Sequence, residues 1–262
     1  MTTDKMLMSK DGPVGRMTFN NPARLNAVSL EMWQAAEAIL DDFTNDPAIR
    51  VVVLSGAGGK AFVSGADISK FESERASEEA VKHYNATTER VNAKLQNLPM
   101  PVIAMIQGYC IGGGVGVAIG CDIRICSESS RFGIPAAKLG LGYGHKGIRK
   151  LMDLVGPSRA KEIFFTAKQF TAQQALIMGL VNQVVPEAEL EATVDDYAKT
   201  IAANAPMTIA AVKQTVIELL RDPAERDLAR SERMVAACFA SEDYIEGRRA
   251  FNEKRKPAFK GR

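Results

Sequence analysis

This 262-residue chain has almost no excess of positive or negative charge: 33 Lys and Arg stand against 31 Asp and Glu, a net charge of +2. That balance is far from the basic stripe on which nonspecific nucleic-acid binding depends, and does not imply a polyanion partner. Cysteine is sparse as well. Cys110, Cys121, Cys126 and Cys238 form no CxxC pair, and neither His83 nor His145 stands at zinc-ligand spacing from them, so no disulfide framework and no structural metal is expected. Long apolar runs are absent too; the stretch around Val115–Ile119 falls far short of a membrane span. Met1 to Lys10 carries early charges without a continuous apolar segment, which does not fit a signal peptide. The expected location is cytoplasmic.

What is present has the usage of an ordinary soluble domain, with 46% hydrophobic and 24% charged residues. Met6 to Phe19 reads as a hairpin broken at Asp11-Gly12-Pro13. Ser29 reads as an N-cap; Leu30, Trp33, Ala36, Ile39 and Phe43 then recur at helical spacing up to Asp46-Pro47. Val51-Val52-Val53-Leu54 is a strand buried on both faces, and Val102 to Ile106 is a second. Between them lie a glycine-rich loop, Gly56 to Gly65, a polar stretch from Ser69 to Glu79 expected to be mobile, and a helix from about Ala80 to Gln96. Gly108 to Gly120 reads as a turn into a small-residue helix, Asp122 to Cys126 as a third strand, Gly147 to Leu154 as a helix ending before Gly156-Pro157, and Val181 to Val185 as the last strand. From Pro186 onward only helical patterns follow.

Two loops, each following a strand, are rich enough in small residues for a ligand to approach the backbone. They are Lys60-Ala61-Phe62-Val63-Ser64-Gly65-Ala66-Asp67-Ile68 and Gln107-Gly108-Tyr109-Cys110-Ile111-Gly112-Gly113-Gly114-Val115-Gly116. The second opens a helix, where backbone N–H groups lack partners. Nucleotide fingerprints fail on these glycines: Ile119 stands where GxGxxG needs glycine or alanine, and Leu54 and Ala61 break a P-loop register ending at Gly59-Lys60.

With Asn20-Asn21-Pro22-Ala23-Arg24-Leu25-Asn26-Ala27, Gly179-Leu180-Val181-Asn182 and Phe251-Asn252-Glu253-Lys254-Arg255-Lys256, these segments resemble the enoyl-CoA hydratase/isomerase (crotonase) family over nearly the whole chain. The resemblance implies an α/β fold, a spiral of ββα repeats with a C-terminal helical segment. It also implies an oxyanion hole in which the N–H groups of Ala66 and Gly113 meet the thioester oxygen of an acyl-CoA. By the same resemblance Ser64, Ala66, Asp67, Ile68, Gly112, Gly113 and Ala136 line the acyl-CoA site, Arg24 and Ala27 flank the pantetheine and pyrophosphate, and Lys254 reaches a phosphate.

Family hydratases carry one catalytic glutamate three residues after the second glycine of the Gly-Gly-Gly run and another directly after the proline of Phe-Gly-x-Pro; this chain has Gly116 and Ala136 there. Neither can move a proton. Replacements are sought in Leu139-Gly140-Leu141-Gly142-Tyr143-Gly144-His145. Tyr143 is the preferred acid, since an ordinary phenol is protonated at neutral pH; His145 is a second candidate, because imidazole changes charge near neutrality. Leu139 to Tyr143 and Lys161 to Ala167 look in part like crotonase-type methylmalonyl-CoA decarboxylases, in which loss of CO2 would form the enolate without a base. His83 and the acids Glu72, Glu74, Glu78 and Glu79 are further candidates from the polar stretch, against a plain solvated face.

The expected division is a spiral acyl-CoA-binding core over 1–195 and a helical oligomerisation segment over 196–262. The resemblance implies homotrimers or hexamers built as dimers of trimers, an acyl-CoA partner, and no cofactor beyond the CoA thioester as substrate; neither nucleic acid nor membrane is an expected partner. The functions in view are an enolate-stabilising enoyl-CoA hydratase/isomerase homologue, a decarboxylase or lyase on a carboxyacyl-CoA with Tyr143 as acid, and a non-catalytic CoA- or RNA-binding homologue.

Overall fold

The computed structural model describes residues 3–70, 74 and 76–262. Strands β1 (Met6–Asp11) and β2 (Val14–Phe19) form the antiparallel hairpin read from the sequence. Helix α1 (Leu30–Asn45) follows, then β3 (Val51–Gly56), β4 (Ala61–Val63) and α2 (Glu78–Gln96). Next come β5 (Val102–Ile106), β6 (Tyr109–Ile111) and α3 (Gly113–Ala118), then β7 (Ile123–Ser127), β8 (Arg131–Gly133) and α4 (His145–Thr166). The chain closes with β9 (Phe170–Thr171), α5 (Ala172–Ile177), β10 (Gln183–Val185) and four helices, α6 (Leu190–Ala203), α7 (Pro206–Leu220), α8 (Leu228–Ala240) and α9 (Glu242–Asn252).

Three successive turns, β3-β4, β5-β6 and β7-β8, each place a longer strand in a six-stranded sheet, ordered β1-β2-β3-β5-β7-β10, and the next short strand in a four-stranded sheet, ordered β4-β6-β8-β9. This is the spiral of ββα repeats that the sequence led us to expect. Alternation along β3 explains why its apolar run is continuous: Val52 and Leu54 enter the core shared with α1 and α2, while Val51 and Val53 enter a second core against Leu190, Val194, Ala198 and Ala202 of α6. Position 195, the expected division of the chain, falls within α6.

Four short strands, β4, β6, β8 and β9, were not distinguished from their loops by periodicity, because two or three residues are too few to show a period of two. Helix α5 was missed as well, while α9 lies in the tail that was read as helical without bounds of its own. Helix α4 passes the expected stop. Gly156 takes a non-helical φ of 76° and ψ of 164°, Pro157 follows, and a second helical piece continues to Thr166. Ser29 occupies the N-cap of α1 with extended backbone, but its side chain makes no capping bond; the amide of Leu30 donates instead to Glu74 Oε1 at 3.1 Å.

Candidate functional site

Parallel pairing of β4 with β6 sets Val63 opposite Cys110. Three residues beyond each, 63 + 3 and 110 + 3, stand Ala66 and Gly113, so two successive turns of the spiral deliver the two loops side by side. Ala66 is held by a one-residue parallel bridge to Val28: the Val28 amide donates to Gly65 O at 2.9 Å, and the Asp67 amide donates to Val28 O at 3.0 Å. In such a bridge the central residue turns its own N–H away from the bonded neighbour. Gly113 opens α3, behind Gly112, whose amide donates to Gly133 O at 2.8 Å.

Among the described residues neither the Ala66 nor the Gly113 amide donates a hydrogen bond. A Cβ built on Gly113 would lie 4.0 Å from the Ala66 nitrogen, and one built on Gly65 would lie 3.8 Å from the Gly113 nitrogen. The two donors therefore sit across a narrow gap, Gly113 exposed and Ala66 half-buried. Glycine is required where they approach: Gly65 and Gly112 have φ of +108° and +58°, and any Cβ at Gly114 would collide with the Val63 carbonyl oxygen.

The segment that leads into α4 reaches α3 from a later turn of the spiral. Tyr143 is half-buried and packs edge-on against Phe164 at 4.8 Å between ring centroids. Its hydroxyl makes no hydrogen bond among the described residues, and it lies 4.0 Å from where a Cβ at Gly116 would be. The phenol thus lies beside Gly116. Burial pushes its pKa above the ordinary value, so it is protonated throughout the neutral range. Ala136 is buried in the short turn Pro135–Leu139, with only a methyl group to offer.

His145 opens α4 but is exposed, as is its neighbour Lys146, which pairs with Glu89 at 2.9 Å. Arg24 and Ser64 are brought together, the serine hydroxyl donating to Arg24 O at 3.4 Å, and Ala27 is buried on the same turn. Asp67 is buried and spent locally on the Ser69 amide and hydroxyl, at 3.1 and 2.6 Å. Ile68 is exposed. Lys254 is exposed in the turn after α9, and among the described residues no side-chain bond joins it to the Ala66 and Gly113 loops. Of the acidic candidates, Glu72 lies outside the described residues. Glu74 caps α1, and burial raises its pKa. Glu78, Glu79 and the exposed His83 belong to α2. Among the described residues no group of three His, Cys, Asp or Glu could hold a metal, and no helix is long and apolar enough to cross a membrane.

Val28 escaped sequence reasoning. It looks like any apolar residue before a helix, and only the tertiary bridge gives it a role. Asn26, seen in the sequence only as part of the segment 20–27, was not read as a site residue, because its buried bonds to Ala57 O and Ala61 O join segments far apart in sequence.

The family model for enoyl-CoA hydratase/isomerase matches residues 9–262. The chain belongs to that family. It is 36% identical over 263 residues to the short-chain-enoyl-CoA hydratase of Clostridium acetobutylicum, covering 100% of both chains. Among solved structures, an enoyl-CoA hydratase/carnithine racemase from Magnetospirillum magneticum superposes with a TM-score of 0.92 at 34% identity, covering 100% of this chain and 97% of that one. An enoyl-CoA hydratase from Bacillus anthracis gives 0.89 at 32% identity, over 99% and 100%. The fold is thus the crotonase fold, in full.

Proposed function

We infer that this member of the enoyl-CoA hydratase/isomerase family binds an acyl-CoA and stabilises its thioester enolate between the Ala66 and Gly113 amides, with Tyr143 as the proton donor. The observation that carries this reading is the pair of unspent amides brought close together just beyond the ends of β4 and β6. A carbonyl oxygen placed between them gains negative charge only as the enolate forms, so both hydrogen bonds strengthen in the transition state. Each such donor is typically worth about 2.7–4 kcal/mol. Relatives named as hydratases and dehydratases support a general acyl-CoA function.

Within that class, the residues at 116 and 136 favour a reaction that needs no carboxylate base. On a carboxyacyl-CoA, the electrons of the breaking bond between the α-carbon and the carboxylate pass into the thioester as CO2 leaves. The resulting enolate then takes the Tyr143 hydroxyl proton at the α-carbon, and solvent returns a proton to the phenolate. Tyr143 is suited to the second step by its unpartnered hydroxyl and its burial-raised pKa. Assaying malonyl-CoA and methylmalonyl-CoA beside crotonyl-CoA tests the assignment: CO2 release is expected to exceed hydration. Hydration alone would return the chain to ordinary hydratase chemistry, and tight CoA-thioester binding without turnover would make it a non-catalytic homologue. Oligomeric state is a further expectation; trimers or hexamers are to be read from light scattering.

A further inference from the structure

We propose that Asn26 is a positioning residue for the enolate site, fixing where the Ala66 amide stands relative to Gly113; the proposal rests on the enolate-stabilising reading above. Asn26 is fully buried. Its side-chain amide donates to Ala57 O at 3.0 Å and Ala61 O at 2.7 Å, and its carbonyl accepts from the Asn21 amide at 2.9 Å. Ala61 is the first residue of β4, and Val63, its last, is registered on Cys110 of β6. Two residues after Asn26, Val28 bridges Ala66. These contacts close a ring: from Asn26 along the chain to Val28, across to Ala66, back through β4 to Ala61, and home through the Asn26 side chain. A donor inside a closed ring has one position; with the side-chain link removed, Ala66 hangs from β4 by the Ser64-Gly65 segment and from Val28 by two hydrogen bonds.

Within the turn that carries Asn26, the side chain makes one bond only, accepting from the Asn21 amide at 2.9 Å, and the rest of the turn is held without it. Arg24 N and Asn26 N donate to Asn21 O, Leu25 N donates to Pro22 O, Ala27 N to Arg24 O, and Asn21 Nδ2 to Ala27 O. Arg24 and Ala27 therefore keep their shape when Asn26 loses its side chain, while the attachment of the turn to β4 is lost. Asparagine also suits the left-handed φ of 56° at this position. Glycine accepts that conformation without strain, which makes Asn26→Gly a substitution that removes the three hydrogen bonds and spares the backbone.

The test uses the full-length protein and acetoacetyl-CoA, a β-ketoacyl thioester whose enolate has its own ultraviolet band. With wild type at saturation and neutral pH, the bound enolate fraction is expected to exceed that of the free thioester. In Asn26→Gly and Asn26→Asp the excess is expected to fall about 10-fold or more, since a misplacement on the order of 1 Å at a reacting site costs roughly 100-fold. Affinity for CoA itself, measured by calorimetry, is expected to change less than about 3-fold, because the turn keeps its four backbone bonds and the Asn21 Nδ2 bond to Ala27 O. On any acyl-CoA turned over, kcat falls and KM holds. If wild type leaves the enolate fraction at the free value, the enolate reading fails. If wild type raises it and both variants raise it equally, the Asn26 proposal alone fails. Equal losses of CoA affinity and enolate signal, or failure of both variants to fold, would make Asn26 a plain structural residue and also overturn the proposal.

Discussion

Removing one oxygen from Tyr143 separates its chemistry from its packing. In Tyr143→Phe the ring keeps its edge-on contact with Phe164 and its place beside Gly147. The lost hydroxyl has no hydrogen-bond partner among the described residues, so no protein bond is broken and no buried acceptor is orphaned. The stability change should therefore stay within about 0.5 kcal/mol, the range of substitutions away from such features. The effect on turnover should be large. A positioned general acid is typically worth about 10²- to 10⁴-fold, which is about 2.7–5.4 kcal/mol of barrier. The assay is release of CO2 from malonyl-type CoA thioesters, with thermal unfolding of the same preparations. KM should change little, because the hydroxyl acts on a proton that moves only after the enolate exists. The pH profile carries a second signature: burial raises the phenol pKa, so the wild-type rate should hold through neutral pH and fall only on the alkaline side. Unchanged turnover in Tyr143→Phe, at any unfolding temperature, refutes the assignment.

At Gly114, a methyl group would be forced into the Val63 carbonyl; Gly114→Ala should destabilise by about 3 kcal/mol, read by denaturant midpoint, and an unchanged midpoint would mean that α3 can slide away from β4. Gly116 is helical and its added methyl would meet only the Tyr143 hydroxyl at 4.0 Å. Gly116→Ala should therefore gain about 1 kcal/mol and raise the unfolding temperature by about 2–4 °C. Burial pushes the thiols of Cys121 and Cys126 up to about 12 and that of Cys110 well above its usual value. Because these folded-state values are raised, the stability tied to the neutral thiols is complete below the ordinary thiol pKa and is lost as pH climbs toward 12. Unfolding temperatures should fall across that alkaline window, and a disulfide reagent should label no more than Cys238 in the native protein near pH 7; rapid labelling of more than one thiol per chain would contradict the burial.

Several elements were already written in the sequence because their signal is local. Val51 to Leu54 and Val102 to Ile106 announce strands covered on both faces, and the hairpin announces itself at Asp11-Gly12-Pro13. The glycine runs mark where backbone comes close to something, and Gly116 and Ala136 offer no side chain that could move a proton. What Ala66 and Gly113 face was decided in three dimensions, by the parallel register of Val63 on Cys110 and by the bridge from Val28. Strands of three residues leave no readable period, and a bridge between residues 28 and 66 leaves no trace at either position. The closeness of the Tyr143 hydroxyl to Gly116 is of the same kind. Twenty-seven residues separate them along the chain, and only the winding of one repeat onto the next sets the phenol above the glycine.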